Sequence, residues 1–262
     1  MRIGFYQFCP IFGKKSENLE KIKNVLSYIK TDLIVLPELC NTGYSFQTKK
    51  ELAKFAEPIP DGETTKLFIN LAKKGKMAIV AGLPEKDKNY IYNSAILVLP
   101  SGRVFTYRKV HLFSEEKFIF TPGNNKFTAH KAGKVKIGML ICFDYIFPEA
   151  TRSLALDGAQ IICQPANLIL PYAEQITVSR AIENRVFFIM ANRTGEEKQG
   201  KKHYHFLGRS QIISPTGEIL AKADDNEETV KIVNIYPDHA LNKKVTKYNN
   251  VLKDRRPNLY RF

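Results

Sequence analysis

The chain has 262 residues, with 40 Lys and Arg against 26 Asp and Glu for a formal charge of +14, and is 44% hydrophobic and 25% charged. That balance excludes disorder, collagen and coiled coil, and the length suffices for a full core without disulfide or metal staples. No run approaches 18 consecutive apolar residues, which excludes a membrane-spanning helix, and the N-terminal Met-Arg-Ile-Gly-Phe-Tyr-Gln lacks the apolar stretch of an export signal.

Residues 2–9, rich in Ile, Phe and Tyr and closed by Pro10, read as a buried strand. Ser16 is expected to cap a helix to about Lys30, with Leu19, Ile22, Leu26 and Ile29 at helical spacing. Residues 32–36 form a short apolar strand stopped by Pro37-Glu38, and 64–74 predict a second helix with Leu67, Phe68 and Leu71 on one face. A strand at 77–83 follows, then a hairpin of 91–99 and 104–107 across Pro100-Ser101-Gly102. Residues 135–142 read as a strand, and Pro148 opens a helix to about Leu156. Residues 159–163 are a buried strand, 173–183 a helix and 186–191 a strand. Strands at 211–214, 219–223 and 229–236 complete the set, the first two joined by Pro215-Thr216-Gly217. Alternating helices and strands, punctuated by hairpins, predict one α/β layered domain with mixed sheets.

Residues 99–105 and 214–220 are both strand, Pro-x-Gly turn, strand. They are either equivalent parts of a two-sheet sandwich or merely share a turn type. We expect a domain over 1–240 and a basic tail over 241–262. Its Tyr248, Leu252, Leu259, Tyr260 and Phe262 suit packing on its own domain or on a second subunit.

Glu38, Lys109 and Cys142 each follow an apolar run, where α/β proteins place their sites. A cysteine attacks as the thiolate, a carboxylate can take its proton, and an ammonium can stabilise an oxyanion. On spacing alone the same residues also fit a buried small hydrophobe, a helix cap and surface pairing. Cys9, Cys40, Cys142 and Cys163 include no CxxC pair, which points to a reducing, cytoplasmic setting, and the three other than Cys142 read as packing residues. His203-x-His205 comes without HExxH or a Cys/His cluster, and no Gly-rich phosphate loop is present, so no metal is expected. The lysines are spread through turns and polar faces without a nucleic-acid-binding motif, so the charge is read as solvated surface.

The segments LIVLPELCNTGY (33–44), TYRKVHLFSEEKFIFTPG (106–123) and GMLICFDYIFPEATRSLALDGAQIICQPAN (138–167) resemble, in order, the three signature blocks of the nitrilase, or carbon–nitrogen hydrolase, superfamily. The resemblance runs from Arg2 to the tail, within the compact branch of small aliphatic nitrilases and amidases. It implies a four-layer α-β-β-α sandwich with two mixed sheets, paired into a homodimer or higher oligomer. It further implies Glu38 as general base, Lys109 as catalytic lysine, Cys142 as nucleophile and Glu116 as a second glutamate, with Glu115 one residue away as the alternative. No metal or organic cofactor is implied.

With that site, the Phe143 backbone N–H is expected to join Lys109 in holding an oxyanion, and Tyr44 and Asn167 are candidate pocket walls. Asp144, Glu149 and Arg152 are read as a scaffold for the Cys142 turn, and Arg180 with Glu183-Asn184-Arg185 as anchors of their own helix. The expected reaction takes a small aliphatic nitrile or amide to acid and ammonia through a thioimidate or thioester. The alternatives are an N-carbamoyl amine or amino-acid amidohydrolase, and a catalytically silent binding protein on the same fold.

Overall fold

Period-two alternation in the apolar strands sorts their side chains into two layers. Within the first strands, Ile3, Phe5, Leu33, Val35 and Val80 enter one core, while Tyr6, Phe8, Ile34, Leu36 and Ile79 enter another. Such strands are covered on both faces, as near-continuous apolar runs require.

A computed structural model describes residues 1–261. The chain runs β1 (Arg2–Gln7), α1 (Lys15–Leu26), β2 (Leu33–Val35), α2 (Lys49–Leu52), α3 (Glu63–Gly75), β3 (Ala78–Asp87), β4 (Tyr90–Val98) and β5 (Val104–Arg108). Next come α4 (Glu116–Ile119), β6 (His130–Ala132), β7 (Val135–Met139), α5 (Pro148–Leu156), β8 (Ile161–Ala166), α6 (Ala173–Asn184) and β9 (Phe187–Asn192). A hairpin of β10 (Glu196–Gln199) and β11 (Lys202–His205) precedes β12 (Gln211–Ile213), β13 (Ile219–Lys222) and β14 (Thr229–Asn234).

Two six-stranded sheets result, ordered β14-β1-β2-β3-β4-β5 and β13-β12-β9-β8-β7-β6. Each has three parallel strands (β1-β2-β3 and β7-β8-β9) flanked by antiparallel ones. Ile3, Phe5, Leu33 and Val35 meet Ile137, Met139, Ile161 and Cys163 between the sheets. Ile22 and Leu26 of α1 and Phe68 and Leu71 of α3 cover the outside of the first sheet. Leu154 of α5 and Ala181 of α6 belong to the cluster of the second sheet, giving the α-β-β-α sandwich. The two Pro-x-Gly turns join β4 to β5 and β12 to β13, equivalent places in the two sheets, with Gly102 and Gly217 at φ +86° and +90°.

Several boundaries differ from expectation. Ser16 lies inside α1, whose start follows Lys14 without a side-chain cap; the Asn18 side chain bridges Ile11 N, Ile11 O and Asn41 O and fixes the chain's entry. The strand expected to reach Cys142 stops at Met139, because the Asp144 carboxylate takes the Ile141 N–H at 2.8 Å and turns the chain. The β10–β11 hairpin was not anticipated, since Glu-Glu-Lys-Gln-Gly-Lys-Lys-His has no apolar alternation. His203 and His205 both lie against Glu196 on this hairpin.

Beyond residue 241 the chain folds back on itself through Val245 N to Asn249 O and Val251 N to Lys243 O. Lys243 Nζ donates to the carbonyls of Asn184 and Arg185 at the end of α6, at 3.0 and 2.8 Å. Phe262, counted above among the tail's apolar residues, lies outside the described residues. Among the described residues no helix is long and apolar enough to cross a membrane.

Candidate active site

Glu38 stands just past β2, in a turn that closes onto β3. Gly82 N donates to Pro37 O at 3.1 Å and Cys40 N to Gly82 O at 3.0 Å, clamping the turn on both sides. A Cβ on Gly82 would stand 2.6 Å from Glu38 Cα, so only glycine admits this approach. The Glu38 carboxylate is fully buried. Its Oε1 accepts from Lys109 Nζ at 2.7 Å and from Asn93 Nδ2 at 2.6 Å, while Oε2 has no partner among the described residues.

Lys109 follows β5, where its N–H donates to Asn93 O and its carbonyl accepts from Gly123 N, both at 2.8 Å. Its buried ammonium donates to Glu38 and, at 2.9 Å, to Glu116 Oε1, which leaves one of three N–H bonds for another acceptor. Glu116 opens α4 and is itself held by the Tyr44 hydroxyl at 2.8 Å and the Phe113 N–H at 3.0 Å. Glu115 instead turns outward to Lys202 at 2.6 Å, so Glu116 is the glutamate that reaches the lysine.

Cys142 opens a single 3-10 turn, Cys142–Ile146, at φ +42°, a left-handed conformation that a non-glycine residue holds only under constraint. The constraints are visible. Gln164 Nε2 donates to Cys142 O at 2.8 Å. Asp144 accepts from Ile141 N, Tyr107 Oη and His111 N, and its Oδ1 lies 2.8 Å from His111 Nδ1. Arg180 reaches from α6 to Tyr145 O and Ile146 O at 2.9 and 3.1 Å.

These groups share one electrostatic environment. Burial drives the Cys142 thiol well above its ordinary range; Glu38 and Glu116 add to this, while Lys109 and the Asn167 backbone N–H oppose it. Burial also raises the Glu38 carboxyl, with Lys109 pulling it down and Glu116 pushing it up. For Lys109, burial alone would favour the neutral amine, but Glu116, Glu38 and Cys142 together outweigh it and keep the ammonium. The resting cysteine is therefore a thiol, held beside a Glu38 carboxyl that burial makes more basic.

A pocket over Cys142 is walled by Phe113, Phe143, Leu168 and Leu170, with Tyr145 and Asn167 opening into it. Of the expected site residues, Glu38, Lys109, Glu116 and Cys142 are brought together, and Phe143 and Asn167 line the pocket. Tyr44 is held on Glu116 and does not line that pocket. Asp144 does support the Cys142 turn, but Glu149 is exposed on α5, and Arg152 binds Glu183 O and Val251 O.

Sequence reasoning did not single out Asn93 or Gln164, and it confined Arg180 to its own helix. A polar side chain inside an apolar strand, as in β4 and β8, was the available signal, because burial demands a partner. The contact of Arg180 with a turn 35 residues away carried no such signal.

The sequence pattern described as carbon–nitrogen hydrolase matches residues 2–240. A nitrilase of Pyrococcus abyssi is 41% identical, over 99% of this chain and 99% of its own. An (R)-stereoselective amidase of a Pseudomonas species is 33% identical, over 98% of this chain and 92% of its own. The crystal structure of a carbon–nitrogen hydrolase from Helicobacter pylori G27 superposes with a TM-score of 0.88 at 28% identity, covering 99% of this chain and 97% of that one.

Proposed function

The chain belongs to the carbon–nitrogen hydrolase family of the nitrilase superfamily, and we propose that it converts a small aliphatic nitrile or amide to the carboxylic acid and ammonia, with Cys142 as nucleophile. The observation that supports this reading is the unpartnered Oε2 of Glu38, buried beside a thiol on which the charges of Glu38, Lys109 and Glu116 all act.

Glu38 takes the Cys142 proton as sulfur attacks the electrophilic carbon. The developing charge on the substrate's oxygen or nitrogen is held by the remaining Lys109 N–H and the Phe143 backbone N–H. Losing one such donor costs about 10²–10³ in rate. For an amide, Glu38 returns the proton to nitrogen, ammonia leaves and a thioester remains. Glu38 then deprotonates water, which attacks the carbonyl and releases acid and thiol. For a nitrile, the first adduct is a thioimidate, and addition of water followed by loss of ammonia yields the same thioester. One water is consumed from an amide and two from a nitrile.

Ammonia release from a panel of small nitriles, amides and N-carbamoyl compounds tests the reading. Iodoacetamide should abolish turnover and Cys142→Ala should show none; persistent turnover in Cys142→Ala overturns the mechanism. Exposed Tyr236, Leu241, Val245, Tyr248 and Leu259 support a homodimer or higher homo-oligomer, which light scattering on the purified chain measures. The four free cysteines support a cytoplasmic location.

A further inference from the structure

The pocket over Cys142 joins apolar walls to polar groups without a hydrogen-bond partner among the described residues. Phe113, Phe143, Leu168, Ile169 and Leu170 bound a small pocket at Cys142. Asn167 and Tyr145 line the same space and are only 4% and 1% exposed. Among the described residues, neither Nδ2 nor Oδ1 of Asn167 has a hydrogen-bond partner, and neither does the Tyr145 hydroxyl. Other buried amides of the site use at least one end, Asn93 on Glu38 and Gln164 on the Cys142 carbonyl. The Asn167 side chain uses neither. Asn167 and Cys142 line the same pocket, and the Asn167 backbone N–H acts on the Cys142 thiol.

A buried polar atom without a partner keeps its full desolvation cost, so such atoms in a pocket point to where a ligand's polar group sits. No charged side chain is among the residues lining this pocket, and the nearby Lys109 ammonium is already engaged by two carboxylates. A carboxylate or ammonium on the substrate would therefore be desolvated without a counter-charge.

Resting on the hydrolase reading above, we propose that the substrate is a compact, uncharged nitrile or amide whose acyl part carries one hydroxyl or carboxamide group, bound by the Asn167 side chain with the Tyr145 hydroxyl. A carboxamide side chain both donates and accepts, as does either substituent. A purely hydrocarbon acyl group leaves all three protein atoms unpaired, which a site built for hydrogen bonding penalises strongly.

The test compares kcat/KM for isosteric pairs: 3-hydroxypropionamide against butyramide, and 3-hydroxypropionitrile against butyronitrile. Succinamide probes the carboxamide, and succinamate and 3-aminopropionamide probe charge. Wild type should prefer the hydroxylated member at least tenfold, accept succinamide, and use both charged amides at least tenfold less well than 3-hydroxypropionamide. The hydroxyl preference should fall to about one in Asn167→Leu and partway in Tyr145→Phe, a milder change that guards against a folding defect in the first. A wild-type ratio near one, or a ratio unchanged in both variants, overturns the proposal while leaving the hydrolase reading intact. Absence of ammonia from every nitrile and amide overturns both.

Discussion

The Arg180 guanidinium on α6 donates to the carbonyl of Tyr145 at 2.9 Å and so ties a distant helix to the turn that carries Cys142. Its second bond, to Ile146 O, and the Glu183 carboxylate at 3.1 Å fix its orientation. Charge-assisted bonds of this kind contribute about 1.5–3 kcal/mol each. Arg180→Ala should lower kcat at least tenfold with a smaller change in KM, because the strained φ of Cys142 loses a restraint. Steady-state kinetics alongside a melting curve check this; a lower melting point with unchanged kcat would assign Arg180 to stability alone.

Gly82→Ala tests the clamp on Glu38. The added methyl would meet Glu38 Cα at 2.6 Å and Leu39 N at 2.9 Å, both backbone atoms that must shift. Overpacking typically costs about 1–3 kcal/mol. The variant should fold, melt lower, and lose more than about tenfold in kcat, since positioning errors near 1 Å are costly. Near wild-type turnover would show that the turn relaxes without moving the carboxylate.

Glu38 gives a pH-dependent prediction whose sign follows from burial. Its carboxyl is raised in the folded protein, so the protonated form is favoured there, and its stabilising effect is lost as pH rises through the folded pKa. Above that pKa the buried carboxylate opposes folding. Glu38→Gln should be inactive yet melt higher at pH 7, by about 2–4 °C for 1 kcal/mol in a chain of this size. The gap should close on acidification, where the wild-type group is protonated too. Wild-type kcat/KM should fall tenfold per pH unit on the acid side. A lower melting point for Glu38→Gln at pH 7 would mean that its bonds to Lys109 and Asn93 dominate.

Tyr44 and Glu197 should be energetically coupled. Glu197 on β10 takes the N–H groups of Tyr44 and Ser45 at 3.0 and 2.8 Å and pairs with buried Arg193, while the Tyr44 hydroxyl holds Glu116. Tyr44→Phe and Glu197→Gln should each slow turnover about tenfold. The double variant should be little worse than the slower single, because both losses act through Glu116. Multiplicative losses in the three rate constants would refute the coupling.

Lys243 links the tail to pH. Burial, with Arg185 and Arg152 nearby, pulls its ammonium down to about 8 from an ordinary 10.5. Protonation is thus penalised in the folded state, and stability should rise with pH between about 8 and 10.5. Denaturant melts across that range should show the rise in wild type and a flatter curve in Lys243→Gln. Matching slopes would exclude Lys243 as the source.

Much of this protein is legible locally. The apolar runs at β1, β2 and β8 gave strands because two-sided burial leaves an unmistakable composition, and Pro148 marked the start of α5. Strand ends made Glu38 and Lys109 candidates, and only the resemblance of their segments to the family blocks separated them from the alternatives. The polar β10–β11 hairpin was not legible, since its order comes from Arg193, Tyr44 and the Phe46 carbonyl that Lys202 binds.

By itself, then, the sequence determined the layered α/β class, the family blocks and the positions of Glu38, Lys109 and Cys142, all written in patterns a few residues long. Only the tertiary structure decided that Glu116 and not Glu115 meets Lys109, that Cys142 sits on a strained turn, and that Arg180 holds it there. Those outcomes depend on which side chains two packed sheets bring within 3 Å. Residues seven or 35 positions apart acquire such distances only when the sandwich closes.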